Sequence, residues 1–143
     1  MKTQTQLLMQ LLSVESKLEK RLARALSVHG IGVSEYVVMH ALSESTHGAM
    51  QRTELAERVG LTPSGVTRLL IPMEKMGLVS KADNPRDARV SLVKMSETGA
   101  RIYADACVTF DHSATSLLKQ CTASQSAQLK ETLTALDRAL VSV

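Results

Sequence analysis

The side chains whose chemistry stands out in this sequence are hydrogen-bonding groups rather than a nucleophile with its base. Ser64, Thr67 and Arg68 recur with helical spacing, and Arg86 and Arg89 lie in a stretch rich in turn-forming residues. Short hydroxyl side chains and a guanidinium group on one helix face can reach base edges in the major groove of DNA. Arginines on a protruding loop suit the narrow, electronegative minor groove. The pattern therefore indicates binding to a nucleic acid.

The helical group belongs to residues 53–69, which predict two short helices joined by a tight turn, with the first helix expected over residues 50–58. Gly60 suits the left-handed conformation that follows a helix, because it has no Cβ to resist a positive φ. Thr62 supplies an N-cap hydroxyl, and Pro63 fits the first helical position, where no N–H is required. The apolar residues of the second helix face inward: Val66, Leu69 and Leu70. We interpret this as a helix-turn-helix; the alternative is a buried helical hairpin whose small polar residues are only solvated.

The second group lies on a predicted β-hairpin, because the pattern after the second helix changes from helical to strand-like. Residues 78–81 and 90–95 predict two strands around a polar tip rich in Asp, Asn, Pro and Arg. Arg86 and Arg89 lie on this tip, and Asp87 between them is expected to hold an arginine or the loop backbone. We interpret the hairpin as a wing; the alternative is a solvated hairpin turn.

The rest of the chain is predicted to be helical and apolar on one side. Long amphipathic helices are expected over residues 5–28, 96–121 and 124–141, and a shorter helix runs from Gly32 through Leu42. A single small winged domain cannot cover the three long apolar stripes, so we expect them to pack together and on their copies in a second subunit. The basic residues of the first helix are expected to be solvated rather than to contact DNA: Lys17, Lys20, Arg21 and Arg24.

A twofold dimer has a consequence for the DNA. It sets two recognition helices about one DNA turn apart, roughly 34–36 Å, which suits a palindromic operator on double-stranded DNA. The sequence thus predicts a homodimer.

Composition limits the possible classes of protein. The chain has 143 residues, of which 44% are apolar, enough for one domain with a core. A net charge of +3 and a pI near 9.0 favour a polyanionic partner. No apolar run approaches the length of a membrane span, and the N-terminus lacks the features of a signal peptide, so we expect no membrane partner and a cytoplasmic location. The two cysteines lack CxxC spacing and fit a reducing compartment.

These motifs resemble the MarR family of bacterial transcriptional regulators over nearly the whole chain. The matching segments are LAERVGLTPSGVTRLL, the GLV that leads into the wing, and DARVSLVKMSETG, which is similar to the family pattern of Asp-x-Arg, an apolar strand and Leu-Thr-x-x-Gly. The resemblance implies a dimeric winged-helix DNA-binding protein, usually a repressor that a small, often aromatic or phenolic, ligand releases from DNA.

Together these observations predict a mainly α fold with a small β-hairpin wing. We expect a single MarR-like domain over residues 1–143, in which residues 33–95 form the winged helix-turn-helix region and residues 1–30 and 96–143 the helical dimerisation region. The predicted DNA contacts are Thr53, Thr62, Pro63, Ser64, Thr67, Arg68, Lys81, Arg86 and Arg89, with Asp87 in a structural role in the wing.

Three residues depart from the family pattern. Pro72 lies where an arginine is often found, and there it removes the hydrogen bond to the Arg68 carbonyl at a cost of up to ~3 kcal/mol, so a kink is expected. Lys81 replaces an arginine after the GLV segment, which keeps the charge and loses the bidentate fork. Gly32 replaces the usual Thr or Ser cap of the second helix, a small loss.

The effector site is less well marked. In proteins that this chain resembles, the effector lies between the dimer helices and the winged domain, so Tyr36, Met39 and His40 are candidates by position. The alternative is that all three are core residues. Cys107 and Cys121 allow a redox-sensing regulator, but both lie on an apolar stripe with little positive charge to stabilise a thiolate, and buried small hydrophobic residues are the alternative.

Neither a cofactor nor an enzymatic activity is predicted. The four histidines lack a metal-ligand cluster, and the sequence has no nucleophile with a base, no phosphate-binding glycine loop and no paired carboxylates. Two function classes therefore stay open. The first is a ligand- or redox-controlled transcription factor; the second is a dimeric helical interaction module without DNA binding, which Pro72 and the modest net charge favour.

Overall fold

The computed structural model describes residues 2–141. The described residues form six α-helices and three short strands. Their order along the chain is α1 (Thr3–Leu26), a 3₁₀ turn (Ser27–His29), α2 (Val33–Glu44), β1 (Ala49–Gln51), α3 (Arg52–Val59), α4 (Pro63–Lys75), β2 (Val79–Ala82), β3 (Leu92–Met95), α5 (Glu97–Leu118) and α6 (Ala123–Val141). The predicted fold class, mainly α with a small wing, is confirmed. By its contacts the chain divides into two compact units, Met1–Phe110 and Asp111–Val143.

The sheet is antiparallel, with the strand order β1-β3-β2. The predicted hairpin is present, with its first strand shifted by one residue and its second strand two residues shorter than expected. The amide of Val90 donates to the Asp87 carbonyl, 3.1 Å away, and this residue belongs to the loop. The prediction of helix over residues 50–58 is wrong at its start. Met50 instead lies in β1 opposite Val93, and both side chains are buried. Helix α3 begins at Arg52.

The core lies where α2, α3, α4 and the sheet meet. Helix α2 is the most buried helix, and five of its twelve residues are buried: Tyr36, Val38, Met39, Ala41 and Leu42. From the other elements, Leu55, Val66, Leu70 and Met73 complete the same cluster. The hydrophobic effect on this shared cluster fixes the helix-turn-helix to α2.

The first part of α5 also packs on this core. Ala106 is fully buried, and Tyr103, Cys107 and Phe110 pack against the cluster. The apolar stripe of α5 was expected from the sequence to pack in the dimer, but up to Phe110 its residues pack against the winged region.

Helix α5 approaches the backbone before β2 very closely. A Cβ added at Gly99 would lie 2.1 Å from the carbonyl oxygen of Leu78, so only glycine fits here. Ser96 fixes the same junction, since its hydroxyl donates to the Gly77 carbonyl and accepts from the Gly99 amide, 2.9 Å away. The start of α5 is thus attached to the chain that leaves α4.

Two helices leave apolar faces exposed on the single chain. In the first half of α1 the leucines are open to solvent, with Leu7 60% and Leu12 61% exposed, and on α6 Leu129 and Leu133 are 44% and 46% exposed. The four basic residues of α1 are exposed: Lys17, Lys20, Arg21 and Arg24. Among residues 2–141, no helix is long and apolar enough to cross a membrane.

Candidate nucleic-acid interface

The turn between α3 and α4 is built as the sequence predicts. Gly60 caps α3 with φ +73°, in the left-handed region, and the following amide of Leu61 donates to the Ala56 carbonyl at 3.0 Å. Thr62 is the N-cap of α4, and its Oγ1 accepts from the Gly65 amide at 3.0 Å. Pro63 occupies the first helical position. The two helices are therefore held in a fixed relation by backbone geometry.

One face of α4 is packed and the other is open. Val66, Leu70 and Met73 are buried in the core, whereas Ser64 and Arg68 are exposed. Since the buried face fixes the helix, the exposed face is presented as a rigid surface.

The hydroxyl groups at the start of α4 are already ordered. The Ser64 and Thr62 hydroxyl oxygens lie 3.2 Å apart, and the Thr67 hydroxyl donates to the Pro63 carbonyl at 3.1 Å. Thr67 is half-buried, less outward than predicted. With its proton engaged, its oxygen is left to accept from a donor such as the exocyclic amine of cytosine or adenine.

Arg68 makes no hydrogen bond or salt bridge with any residue between 2 and 141, and its guanidinium can therefore bind a base or a phosphate without breaking a contact. Pro72, one turn later, is exposed and lies inside α4, which continues to Lys75. The proline lacks the N–H that would donate to the Arg68 carbonyl. The kink stays a prediction.

The wing tip is held by short side-chain to backbone bonds. Asn84 Oδ1 accepts from the Arg86 amide at 3.0 Å, and Asp87 Oδ1 accepts from the Arg89 amide at 3.0 Å and from Arg89 Nε at 3.2 Å. Both are Asx turns, in which the side chain replaces a backbone acceptor. The Arg89 side chain is 90% exposed. Asp87 thus orders the loop, and both arginines project from it.

The other predicted DNA contacts are also at the surface. Thr53 lies in the first turn of α3, Pro63 at the start of α4 and Lys81 on β2 opposite Val93, and all three are exposed. Asn84 is a residue that the sequence argument missed; its Asn-Pro dipeptide is a turn signal that could have identified it.

The predicted effector residues fall into two environments. Met39 has no exposed surface and Tyr36 is nearly buried, stacked on Phe110 with ring centroids 4.5 Å apart. His40 is exposed, and its Nδ1 lies 2.7 Å from the Tyr103 hydroxyl. Burial, above all, raises the pKa of Tyr103, which keeps this phenol protonated. Tyr103 was noted in the sequence only as part of an apolar stripe.

A chain of polar contacts leads from this cluster to the helix-turn-helix. His40 Nε2 lies 3.2 Å from Glu44 Oε1, and the same oxygen accepts from Arg58 Nη2 at 3.3 Å. His40 and Glu44 belong to α2, and Arg58 belongs to the last turn of α3. All are about half exposed, so each contact contributes little stability by itself, on the order of 0.2–1 kcal/mol. Together, the contacts connect Tyr103 on α5 through α2 to Arg58 on α3.

The cysteines and His29 show no arrangement typical of a reactive site. Both cysteines are free and half-buried, and Cys107 Sγ accepts from the Tyr36 hydroxyl at 3.6 Å. His29 Nε2 lies 2.7 Å from the Thr109 hydroxyl. Within the described part of the chain, no three His, Cys, Asp or Glu side chains are grouped so that they could hold a metal ion.

A capped two-helix unit with a fixed outward face, beside a three-stranded sheet whose loop carries exposed arginines, defines a winged helix-turn-helix protein. The comparisons with known proteins carry the identification further. Residues 33–91, which include the helix-turn-helix, match the model of the MarR family, the family that the sequence resembles.

Three similar proteins illustrate the relationship. The uncharacterized HTH-type transcriptional regulator YhbI of Bacillus subtilis is 26% identical over 119 residues, which cover 83% of this chain and 76% of that protein. The structure of Sco3205, a MarR family transcriptional regulator from Streptomyces coelicolor in complex with DNA, has a TM-score of 0.89 and 22% identity over 98% of this chain and 93% of that one. The organohalide-sensing regulator RdhR-CbdbA1625, in its 2,4-dichlorophenol-bound form, has a TM-score of 0.87 and 20% identity over 97% and 82%.

The share of a relative's length that the chain covers varies among the relatives. The chain aligns with 76% of the length of YhbI but with only 57% of the length of the transcriptional regulator PapX of Escherichia coli. The family and the relatives are transcriptional regulators and not enzymes. The chain is accordingly a MarR-type DNA-binding transcriptional regulator.

Proposed function

We propose that the chain is a homodimeric repressor that binds a palindromic operator with α4 in the major groove and the wing in the minor groove. The observation that carries this proposal is the fixed outward face of α4, where Ser64 and Arg68 are exposed above a fully buried apolar face. The proposed DNA contacts are the nine predicted residues, and the winged region is proposed to extend over residues 33–95. Because its partner is DNA, the protein is proposed to act in the cytoplasm.

The dimer is proposed from the helices at the two ends of the chain. The leucines in the first half of α1 and most of those of α6 are exposed on the single chain, and fully burying a leucine side chain contributes about 1.5–3 kcal/mol. Residues 1–30 and 96–143 are the proposed dimerisation region. Deletion of residues 124–143 should abolish the dimer, and operator binding should be lost with it. Sedimentation of the truncated chain as a stable dimer would place the interface elsewhere.

A small aromatic ligand is proposed to release the DNA. The supporting feature is the aromatic cluster of Tyr36, Tyr103 and Phe110, at whose edge the exposed His40 can bind a phenol. The similar regulator that binds 2,4-dichlorophenol supports this ligand class. Since Met39 is completely buried, His40 and Tyr103 are the proposed contacts. The contact of Glu44 with Arg58 then provides a route from the ligand to α3.

Fluorescence anisotropy tests the DNA-binding proposal. Labelled genomic fragments and random duplex DNA are titrated with the protein at low and moderate salt. Affinity should fall steeply with salt, with a slope of about −0.9 for each phosphate that the protein neutralises, and some genomic fragments should bind more tightly than random DNA. No binding at low salt would instead favour the interaction module without DNA binding. Release by a chlorinated phenol in the wild type but not in Tyr103→Phe would support the effector site.

A further inference from the structure

The outward face of α4 carries a large apolar side chain, Ile71, which is 51% exposed. Ile71 follows Ser64 by seven residues and Arg68 by three. At ~3.6 residues per turn, seven residues bring a side chain back to within about 20° of its starting direction, so Ile71 projects on the same side as Ser64. The buried side chains Val66 and Met73 lie on the opposite side of the helix. Ile71 therefore belongs to the surface that is proposed to face DNA.

The stability of α4 does not explain an isoleucine at this position. A β-branched residue lowers helix propensity, because its side chain loses rotamer freedom against the preceding turn. Pro72, the next residue, is also exposed and removes a helix hydrogen bond. Two consecutive apolar residues that disfavour a helix and lie at its surface break the local rules of helix formation, and such positions are typical of functional sites.

The major groove of DNA offers an apolar group to such a side chain. Thymine presents its C5 methyl group there, and apolar protein groups contact it. Ser64 and Arg68 are suited to hydrogen-bond acceptors and donors on base edges, whereas Ile71 is suited to a methyl group. In a helix, isoleucine has essentially one χ1 rotamer, so its own methyl groups are held in place before DNA binds.

We propose that Ile71 is a specificity-determining residue that packs against the methyl group of a thymine in each half of the operator. The inference rests on the proposed function, because it requires α4 to lie in the major groove. With a rise of about 1.5 Å per residue, Ile71 lies about 10 Å beyond Ser64 along α4, which corresponds to about three base-pair steps of ~3.4 Å. The thymine is therefore expected within about three base pairs of the base that meets Ser64.

Deoxyuridine tests this contact, because it lacks only the methyl group of thymidine. A genomic fragment that binds more tightly than random DNA is prepared in two forms, one with thymidine and one with deoxyuridine throughout. Both forms are titrated with the wild type and with Ile71→Ala, and binding is measured by fluorescence anisotropy. The wild type should bind the uridine form about fourfold more weakly for each half-site, since one buried methyl group is lost. Ile71→Ala should bind the two forms with nearly equal affinity.

Control variants separate this contact from the general effect of an exposed apolar side chain. Met76, just beyond α4, is 48% exposed and lies about 120° around the helix from Ser64. Met76→Ala should therefore discriminate between the two forms as the wild type does. Ile71→Val keeps the branched Cβ and loses one methyl group, so it should retain about twofold discrimination for each half-site. Circular dichroism checks that each variant is folded.

Single uridine substitutions along the fragment then locate the effect, which should fall on one thymine position in each half-site. The proposal is overturned if the wild type and Ile71→Ala both bind the fragment and lose the same affinity when uridine replaces thymidine. It is also overturned if Ile71→Ala weakens self-association in sedimentation, because a second copy of the chain then covers this side chain. No binding of the wild type to any fragment at low salt would overturn the proposed function itself, which distinguishes that failure from a failure of Ile71 alone. A loss of affinity on uridine DNA that requires Ile71 and not Met76 supports the proposal.

Discussion

Helix α4 and the wing tip both carry exposed arginines that are proposed to bind DNA, but the two regions are held in different ways. Helix α4 has a cap at Thr62 and three fully buried side chains beneath it. The wing tip depends on two Asx turns made by Asn84 and Asp87, and its Arg89 is almost wholly exposed. A base edge must be met within a narrow range of distance and angle, whereas a phosphate or a groove tolerates a moving charge.

The difference indicates a division of roles. The rigid face of α4 suits discrimination between sequences, and the loosely held wing suits affinity for DNA of any sequence. Substitutions that change one region and not the other test this division.

The largest effect is expected from Gly99→Ala, which removes the support that both regions share. The new Cβ would overlap the Leu78 carbonyl, so α5 or the chain leading into β2 must move. We expect a loss of about 3 kcal/mol in the free energy of unfolding, measured by urea denaturation. The exposed neighbour Thr98→Ala is the control and should stay within about 0.5 kcal/mol. Equal stability of the two variants would contradict the close packing at this junction.

Arg68→Ala is expected to have the next largest effect, on sequence discrimination. If Arg68 binds a guanine, specific binding should weaken by about 1–3 kcal/mol while binding to random DNA weakens less. If it binds a phosphate, both should weaken together and the salt slope should fall by about one. Anisotropy at several salt concentrations distinguishes the two, with Lys75→Ala as the control for charge at the far end of α4. Wild-type affinity, preference and slope would mean that this face does not touch DNA.

Thr62→Ala should weaken α4 without changing the wing. Loss of the bond from the Gly65 amide is expected to cost about 1 kcal/mol of stability, and Thr62→Ser should restore most of it. Hydrogen exchange provides the regional measurement: amides in the first turn of α4 should exchange faster, and those of β2 and β3 should not. Faster exchange in both regions would show that the cap stabilises the whole unit.

Arg89→Ala should have the smallest effect, and the same one on every DNA sequence. Affinity should fall about threefold at moderate salt, and the salt slope should decrease by about 0.9 if one phosphate contact is lost. The dimer and its stability should not change, because Arg89 contacts only Asp87 in the described structure. A loss of affinity for only one DNA sequence would show that the wing takes part in sequence discrimination, and it would contradict the division of roles proposed above.

The two regions also differ in how far the sequence predicts them. The turn and cap of the helix-turn-helix follow from Gly60, Thr62 and Pro63 because their conformational preferences act over three or four residues. Strand β1 was missed because it has only three residues and forms by pairing with β3, about forty residues later in the chain, which local patterns do not report.

The contacts of the candidate effector site also join residues that are distant in the sequence, so local patterns do not predict them. His40 meets Tyr103 across 63 residues of sequence, and nothing near either residue predicts the pair. Similarly, the residues of the apolar stripe of α5 are half-buried, and periodicity does not say which surface covers them. In the structure Tyr103, Cys107 and Phe110 are half-buried and pack against the core of the winged region.

The junction at Ser96 joins two parts of the chain that have separate tasks in the proposed dimer. One hydroxyl spans from the Gly77 carbonyl, just beyond α4, to the first turn of α5, and the Ser96 amide donates to the Leu78 carbonyl at 3.0 Å. In the proposed dimer, we expect these three hydrogen bonds to transmit a rotation at the start of α5 to the end of α4. Ser96 would then influence which spacing between the two halves of the proposed operator the protein accepts, without itself being a proposed DNA contact.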